Sequence, residues 1–381
     1  MGNEAQNRTF RVVISGYYGF RNSGDEAVLK SILLALQAEA NEQGVKVEPV
    51  VLSIDPLWTA SMYGVESVHR MRPREVMSAI RGSDGLISGG GSLLQDATSA
   101  KTIPYYTGVI KLAQWLGKPT FIYSQGIGPV SRRWMDPLIR GAMRRSAYVS
   151  VRDAESAELL ARIGVVRSRI EVVPDPVMGL PLPGEAAAAR ASVPADGGAR
   201  VPVVGVSLRH WRKDGADLER AAEALAALAR SRAVRLRFLP FHTPDDAEAS
   251  SFVMERLGEL GDSTAELAAI GEDPQQMLLE VSRCELMVGM RLHSLIYAAN
   301  ARVPMLGISY DPKIDQFLQS LGLSAVGTTE RIDADFFTEA ALQLLDDRDG
   351  WNEKHWNKIK DFKEKSKIPA KHIILLLRQM R

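Results

Sequence analysis

The sequence predicts an α/β protein of two doubly wound, Rossmann-like domains facing a cleft, and three observations carry that prediction. The first half repeats a short β-branched run, a Gly-rich turn and a helical pattern, which is how βαβ units around a parallel sheet read. Residues 181 to 200, with Pro-Leu-Pro-Gly-Glu, an Ala run, Pro194 and Gly197-Gly198, break every periodic pattern. Beyond them the strand, turn and helix alternation begins again. These features place an N-terminal domain at 1–180, a linker at 181–200, a C-terminal domain at 201–350 and a helical tail at 351–381.

Taken in order, Phe10 to Ser15 is the first strand and Gly16 to Asp25 its turn. A helix follows with Ala27, Leu29, Ile32, Leu33 and Leu36 on one apolar face. Val47 to Ser53 is the next strand, and Pro49 marks it as an edge candidate, because proline cannot donate to a ladder. Gly85 to Ser88, Thr120 to Ser124, Ala147 to Val151 and Ile170 to Val173 complete the first set. The second set is Val203 to Leu208, Arg235 to Pro240, Glu285 to Val288 and Met305 to Ile308, with the Ala/Leu-rich helix Ala216 to Ala229 between its first members. In open parallel sheets ligands bind outside the carboxyl ends of the strands, so function is expected on the turns that follow strands.

Composition removes several classes of answer. A chain of 381 residues with 45% hydrophobic and 24% charged residues is ordinary for a globular protein and long enough for two cores. Forty-seven basic against 46 acidic residues leave no global field of the kind nucleic-acid binders use, so any anion site is local. The single cysteine, Cys284, sits in an apolar run, cannot form an internal disulfide and fits a reducing compartment better than a nucleophile's role. The polar start lacks a signal-peptide layout and no run is long enough to span a bilayer, so a cytoplasmic protein is expected. The Lys-rich stretch from Lys354 to Arg381, with its apolar patch at Ile373 to Leu377, reads as a docked terminal helix or as peripheral contact with the inner face of the membrane.

Four turns carry candidate chemistry. Gly16-Tyr17-Tyr18-Gly19-Phe20-Arg21-Asn22-Ser23-Gly24-Asp25-Glu26 opens a helix: its N–H groups can hold an anion and Asp25 can orient or deprotonate a sugar hydroxyl, or Ser23 or Asp25 is simply an N-cap. Its glycine spacing is not the dinucleotide fingerprint. Ser88-Gly89-Gly90-Gly91-Ser92 follows a strand, where consecutive glycines admit a ligand to the backbone or merely permit a sharp turn. Gln125-Gly126-Ile127-Gly128-Pro129 is the third, with Arg133 just beyond it. The strongest signal is Gly289-Met290-Arg291-Leu292-His293, where two basic residues stand at the start of a helix after a strand. Free N–H groups and the helix dipole favour an anion there, and a cation opposes the dipole unless one is bound. Lys313 follows the strand at Met305 in the same manner. His210 and His242 show no metal-ligand spacing, so no metal is expected.

Together Asn22-Ser23-Gly24-Asp25-Glu26, Ser88-Gly89-Gly90-Gly91, Gln125-Gly126-Ile127-Gly128-Pro129, Ser150-Val151-Arg152-Asp153, Gly289-Met290-Arg291-Leu292-His293-Ser294 and Tyr310-Asp311-Pro312-Lys313 resemble the polysaccharide pyruvyl transferase family. Each piece is weak and the ordered set is specific. It is most similar to the CsaB-type branch that pyruvylates bacterial secondary cell wall polymer for S-layer anchoring. The resemblance implies a GT-B-like fold, phosphoenolpyruvate as co-substrate with no cofactor, and a 4,6-linked pyruvate ketal placed on an N-acetylmannosamine residue. The acceptor it implies is a lipid-diphosphate-linked disaccharide. Donor binding would fall to Arg133, His293 and Lys313, supported by Arg291 and Arg152. Acceptor binding would fall to Asn22, Asp25, Gly89, Gly90, Gly91 and Ser92, with His293 and Asp25 catalytic.

The residues suit that chemistry independently, since a donor carrying a carboxylate and a phosphate needs several fixed cations. The main rival is a GT-B-type sugar-nucleotide glycosyltransferase or epimerase, which would also gather basic residues at a helix start. A carbohydrate-binding scaffold would show more aromatic residues than the 7% present.

Overall fold

The computed structural model describes residues 8–97, 99–183 and 201–380 and divides into two compact units. Unit 1 comprises residues 1–180 with 362–381, and unit 2 comprises 181–361. Most of the expected linker, residues 184–200, lies outside the described residues. The expected tail from 351 is shared between the units rather than standing alone.

Unit 1 alternates strand and helix: β1 (Thr9–Tyr18), α1 (Ser23–Glu42), β2 (Lys46–Ser53), α2 (Pro56–Tyr63), β3 (Glu66–His69), α3 (Pro73–Arg81), β4 (Gly85–Gly89), α4 (Thr102–Trp115), β5 (Thr120–Gln125), α5 (Asp136–Met143), β6 (Tyr148–Val151), α6 (Ala154–Arg162) and β7 (Glu171–Val172). The seven strands are parallel in the order β3-β2-β1-β4-β5-β6-β7, so the order reverses between β1 and β4. β4 and β5 are buried along their whole length, as central parallel strands must be when helices cover both faces. α1 buries Ala27, Leu29, Ile32 and Leu36 against the sheet, the face its spacing marks. β2 is not an edge strand, because β3 lies outside it. β3 begins opposite Val50, however, so Pro49 sits where β2 has no outer neighbour and its missing N–H costs no ladder bond.

Unit 2 runs β8 (Val203–Ser207), α7 (Ala216–Ser231), β9 (Arg235–Phe238), α8 (Asp245–Met254), β10 (Thr264–Leu267), α9 (Pro274–Ser282), β11 (Leu286–Gly289), α10 (Leu292–Asn300), β12 (Met305–Ser309), α11 (Pro312–Ser320), β13 (Gly327–Thr328) and α12 (Ala334–Asp346). Its parallel sheet has the order β10-β9-β8-β11-β12-β13, which reverses between β8 and β11. Cys284 is buried in the turn before β11, and burial pushes its thiol up to about 12, which suits packing rather than nucleophilic work.

α13 (Arg348–Lys365) carries the chain back to unit 1, where α14 (Ile368–Gln379) ends it. Ile373, Ile374 and Leu377 of α14 are buried, so the apolar patch of the terminal stretch is consumed by packing against α1, β5 and β6. Arg378 Nη1 donates to Gln43 Oε1 at 2.7 Å at the far end of that contact. Among the described residues no helix is long and apolar enough to cross a membrane.

Candidate active site

Each unit places candidate turns where the strand order reverses, at the carboxyl ends of the central strands, while Arg133, Arg152 and Lys313 follow β5, β6 and β12. In unit 1 the reversal lies between β1 and β4. β1 runs on to Tyr18, further than its hydrophobic run suggests, and Asn22 rather than Ser23 or Asp25 caps α1, with Oδ1 accepting from Gly24 N at 3.0 Å. Asp25 lies half-buried in the first turn. Glu26, fully buried beside it, accepts from Gly19 N at 2.8 Å and from the Tyr63 hydroxyl at 2.8 Å. Burial raises the Glu26 carboxyl to about 7 against the lowering effect of Tyr63 and of the Gly19, Arg21 and Phe20 backbone.

The glycine triplet divides its labour. A Cβ at Gly89 would stand 2.6 Å from the Tyr18 hydroxyl, and one at Gly90 would stand 2.1 Å from Val28 Cγ1, so these two are glycine because β1 and α1 pack against them. Gly91 is different: its φ of +71° suits glycine, and among the described residues the one atom within 4 Å of a Cβ there is Asp25 Oδ1, at 3.0 Å. Ser92, next along, accepts a hydrogen bond from Arg152 Nη2 at 2.8 Å. The structure thus brings Asp25, Gly91, Ser92 and Arg152 into one neighbourhood. Arg152 is 8% exposed and pairs with Asp153 and Asp175 at 3.4 Å each, so its charge is balanced within the unit.

Arg133 opens a 3₁₀ turn, Arg133–Met135, and is exposed on the rim of a cavity of about 420 Å³ that Ser131, Asp136 and Arg162 share. Its loop is pinned by buried Asp96, which accepts from Ser131 N at 2.9 Å and Arg132 N at 2.8 Å. Burial would raise the Asp96 carboxyl, but those bonds and the Arg132 charge hold it below its ordinary value.

In unit 2, Gly289 at the end of β11 lies opposite Ser207 of β8 and Gly307 of β12. A Cβ at Gly289 would meet Ser294 Oγ at 2.3 Å, so glycine lets α10 close down on its strand. Arg291 is the N-cap residue of α10, with no side-chain cap, and half-buried His293 lies in its first turn. The anion that offsets Arg291 comes from the chain itself. Asp246, fully buried on α8, receives Arg291 Nε at 3.0 Å and Nη2, and accepts from Phe241 N at 3.1 Å and His242 N at 3.0 Å.

Beyond β12, Asp311 caps α11 by accepting from Lys313 N at 3.1 Å, and Lys313 Nζ returns to Asp311 Oδ2 at 3.2 Å. Lys313 Nζ and Arg209 Cζ lie 5.3 and 5.0 Å from the centroid of the Tyr310 ring, and Arg209 Nη1 donates to the Tyr310 hydroxyl at 3.0 Å. Half-exposed Trp211 meets Tyr310 with centroids 4.6 Å apart. Among the described residues no carboxylate pairs with Arg209. Three adjacent strands therefore present Arg209, Arg291 with His293, and Lys313 beyond their carboxyl ends.

Sequence reasoning missed Arg70, Arg209 and Asp246. Arg209 directly follows a recognised strand, a position that could have exposed it. Arg70 follows β3, whose Glu66-Ser-Val-His69 is too short and polar to read as a strand. Asp246 is one of several acids at the start of α8, and only the fold selects it. Among the described residues no group of three or more His, Cys, Asp or Glu could hold a metal ion.

The sequence profile of the polysaccharide pyruvyl transferase family matches residues 22–312. The chain belongs to that family. It is accordingly an enzyme of pyruvyl transfer to polysaccharide, and the match takes in every candidate turn from Asn22 to His293, ending one residue before Lys313. No curated protein matches the sequence significantly. The fold is that of GT-B glycosyltransferases and epimerases. A putative UDP-N-acetylglucosamine 2-epimerase from Listeria monocytogenes is 13% identical with a TM-score of 0.63, covering 97% of this chain and 96% of its own. The UDP-GlcNAc 2-epimerase from Methanocaldococcus jannaschii is 12% identical with a TM-score of 0.63 (97% and 99%). MurG from Acinetobacter baumannii is 10% identical with a TM-score of 0.56 (98% and 100%). At such identities the likeness is one of fold.

Proposed function

We propose that this enzyme takes phosphoenolpyruvate as donor and forms a 4,6-linked pyruvate ketal on an N-acetylmannosamine residue of a lipid-diphosphate-linked cell wall precursor. In this reading it works in the cytoplasm at the inner face of the membrane, as the CsaB-type enzymes do. The observation that supports it most is the arrangement in unit 2, where cations follow three adjacent strands beside an uncapped helix start. A small acid with a carboxylate and a phosphate matches such a cluster.

The donor residues in this reading are Arg133, His293 and Lys313, joined by Arg209, with Arg291 and Arg152 as supporting positions. The acceptor residues are Asn22, Asp25, Gly89, Gly90, Gly91 and Ser92. The reaction has a definite balance. His293, protonated, delivers a proton to the donor's methylene carbon, which becomes a methyl group and leaves an oxocarbenium-like centre on the neighbouring carbon. One sugar hydroxyl attacks that centre as Asp25 takes its proton. Phosphate then leaves with the C–O bonding pair, and the second hydroxyl attacks and gives up its proton, closing the ketal.

Incubation with phosphoenolpyruvate and a synthetic lipid-linked disaccharide, read by mass spectrometry, tests the assignment: one pyruvyl ketal added and one phosphate released are expected, and no mass gain refutes it. His293→Ala and Asp25→Asn are expected to lose turnover by about 10²-fold or more. Undiminished turnover in either removes that residue from the mechanism. Exposed Trp211 beside Tyr310 and Arg209 favours one rival, a sugar-nucleotide transferase or epimerase that stacks a base there. Thermal shift separates the two, since a ligand of the native state raises its melting temperature. Stabilisation by UDP-sugars and none by phosphoenolpyruvate would select the rival.

A further inference from the structure

Tyr17, near the end of β1, and Phe20, on the turn between β1 and α1, stack face to face with centroids 3.8 Å apart and planes 2° from parallel. Tyr17 is 37% exposed, in contrast to its fully buried neighbour Tyr18. A large aromatic left open to solvent beside the sheet's reversal point is not explained by the core.

What lies around the pair fixes it in place. Arg70 is 8% exposed, and its Cζ lies 5.5 Å from the Phe20 centroid, 4.6 Å from that of Tyr105 and 5.3 Å from that of Tyr106. Its Nη1 donates to Gly16 O at 2.8 Å and its Nη2 to the Tyr106 hydroxyl at 3.1 Å, which ties the guanidinium to the end of β1 and to α4. Among the described residues no carboxylate pairs with Arg70. The cation is instead solvated by ring faces and neutral oxygens, and it clamps Phe20 from within the unit. On the other side buried Glu26 holds the same turn by its bond from Gly19 N. The ring that reaches solvent is therefore rigid before any ligand arrives, which reduces the ordering cost of binding.

We propose that Tyr17 is the stacking platform for a pyranose ring of the acceptor, with Phe20 and Arg70 as its positioning residues. The inference rests on the acceptor assignment of the preceding section and deepens it. The neighbourhood selects the ligand class. Asp25 lies close enough to act on the Tyr17 hydroxyl electrostatically, raising its pKa after burial has done so, while Arg70 acts the other way. A carboxylate in the first turn of α1, facing Gly91, disfavours a phosphate or a carboxylate ligand and accepts hydroxyl protons. An uncharged polyol whose C–H face lies on the ring and whose hydroxyls meet Asp25 satisfies both. Gly91 adds no side chain on the Asp25 side.

The experiment titrates the lipid-diphosphate-linked disaccharide into wild type, Tyr17→Ala and Tyr17→Trp, without donor, by calorimetry and saturation-transfer NMR. Parallel titrations use phosphoenolpyruvate alone. Loss of the platform is expected to weaken disaccharide binding about tenfold, with phosphoenolpyruvate affinity unchanged and Tyr17→Trp restored to near wild type. Equal disaccharide affinity in wild type and Tyr17→Ala overturns the proposal, as does absence of binding to wild type. Equal weakening of both ligands in Tyr17→Ala overturns it too, since that is loss of fold. Tyr17-dependent binding without pyruvyl transfer defeats the donor assignment and leaves the platform standing. Transfer by Tyr17→Ala at wild-type acceptor KM does the reverse.

Discussion

Replacing Asp246 by Asn should destabilise unit 2 by about 3–5 kcal/mol, the cost of breaking a buried ion pair by removing one partner. The structure supports the upper half of that range. Asp246 has no exposed surface, the Arg291 side chain is 15% exposed, and the carboxylate accepts from two backbone N–H groups besides the guanidinium. An Asn of the same shape keeps an acceptor for the backbone but turns an NH₂ group towards Arg291. The stranded cation then faces the first turn of α10, where the helix dipole already opposes it. Chemical denaturation followed by circular dichroism gives the stability. The cycle with Arg291→Met isolates the pair, since the double variant should recover much of what the single variants lose. Inorganic phosphate should stabilise Asp246→Asn more than wild type, because the cation is released to an external anion. A variant within about 0.5 kcal/mol of wild type, with additive singles, would refute the reasoning and return Arg291 to the pool of free donor ligands.

Other outcomes follow from the same geometry. Glu26, raised to about 7 by burial, binds protons more readily in the folded than in the unfolded chain, so wild-type stability should fall as pH rises from about 4.5 to 7, by up to ~3 kcal/mol. Glu26→Gln should flatten that slope in pH-resolved denaturation, and an unchanged slope would assign it to another group. Gly90→Ala, which meets Val28 at 2.1 Å, should cost ~2 kcal/mol or more of stability, by overpacking and backbone strain together. Gly91→Ala should cost ~1 kcal/mol and lower turnover, because its methyl group faces Asp25; full activity in Gly91→Ala would remove that edge from the acceptor site. Arg209→Met and Lys313→Ala should each raise the phosphoenolpyruvate KM roughly 10- to 100-fold, as loss of a hydrogen bond to a charged group does, and Arg291→Met much less. The opposite ranking in steady-state kinetics would show that Arg291 binds the donor despite Asp246.

How much of this was legible in the sequence depended on the length of each pattern. β1, β4, β5, β8, β11 and β12 announced themselves as apolar runs, because central parallel strands are buried on both faces. β3, β10 and β13 did not. They are short outer strands, and Glu66-Ser-Val-His69 and Thr264-Ala-Glu-Leu267 hold too few large apolar residues to stand out. The turns Asn22 to Glu26, Gly89 to Ser92 and Gly289 to His293 stood out as candidate ligand turns because glycine and polar residues follow a strand there, although a helix cap or a sharp turn calls for the same residues. Their internal division was not legible. Only packing shows that Gly89 and Gly90 serve β1 and α1 while Gly91 faces Asp25, since the same letter answers two steric demands. Arg291 shows the converse limit. A cation at a helix start implies an anion, but the sequence does not say whether the anion is a ligand or a carboxylate some 45 residues away.

That distinction sorts the basic residues by what they have left to offer. Arg152 is balanced by Asp153 and Asp175, and Arg291 by Asp246. Both are buried or nearly so, and both position backbone: Arg152 through Ser92 and Arg291 through the carboxylate that also holds Phe241 and His242. Lys313 is paired with Asp311 at 3.2 Å, but both are partly exposed, and an ion pair of that kind is worth little in water and exchanges readily for a better anion. Arg209 is held by a phenol and two ring faces, which orient a guanidinium without neutralising it. A phosphate or carboxylate gains most from charges that are fixed in direction and not yet compensated. By that criterion, in the proposed reading, the donor's anionic groups would fall to Arg209 and Lys313, both over the Tyr310 ring, with His293 in the first turn of α10. Arg291 then contributes by holding that turn in place.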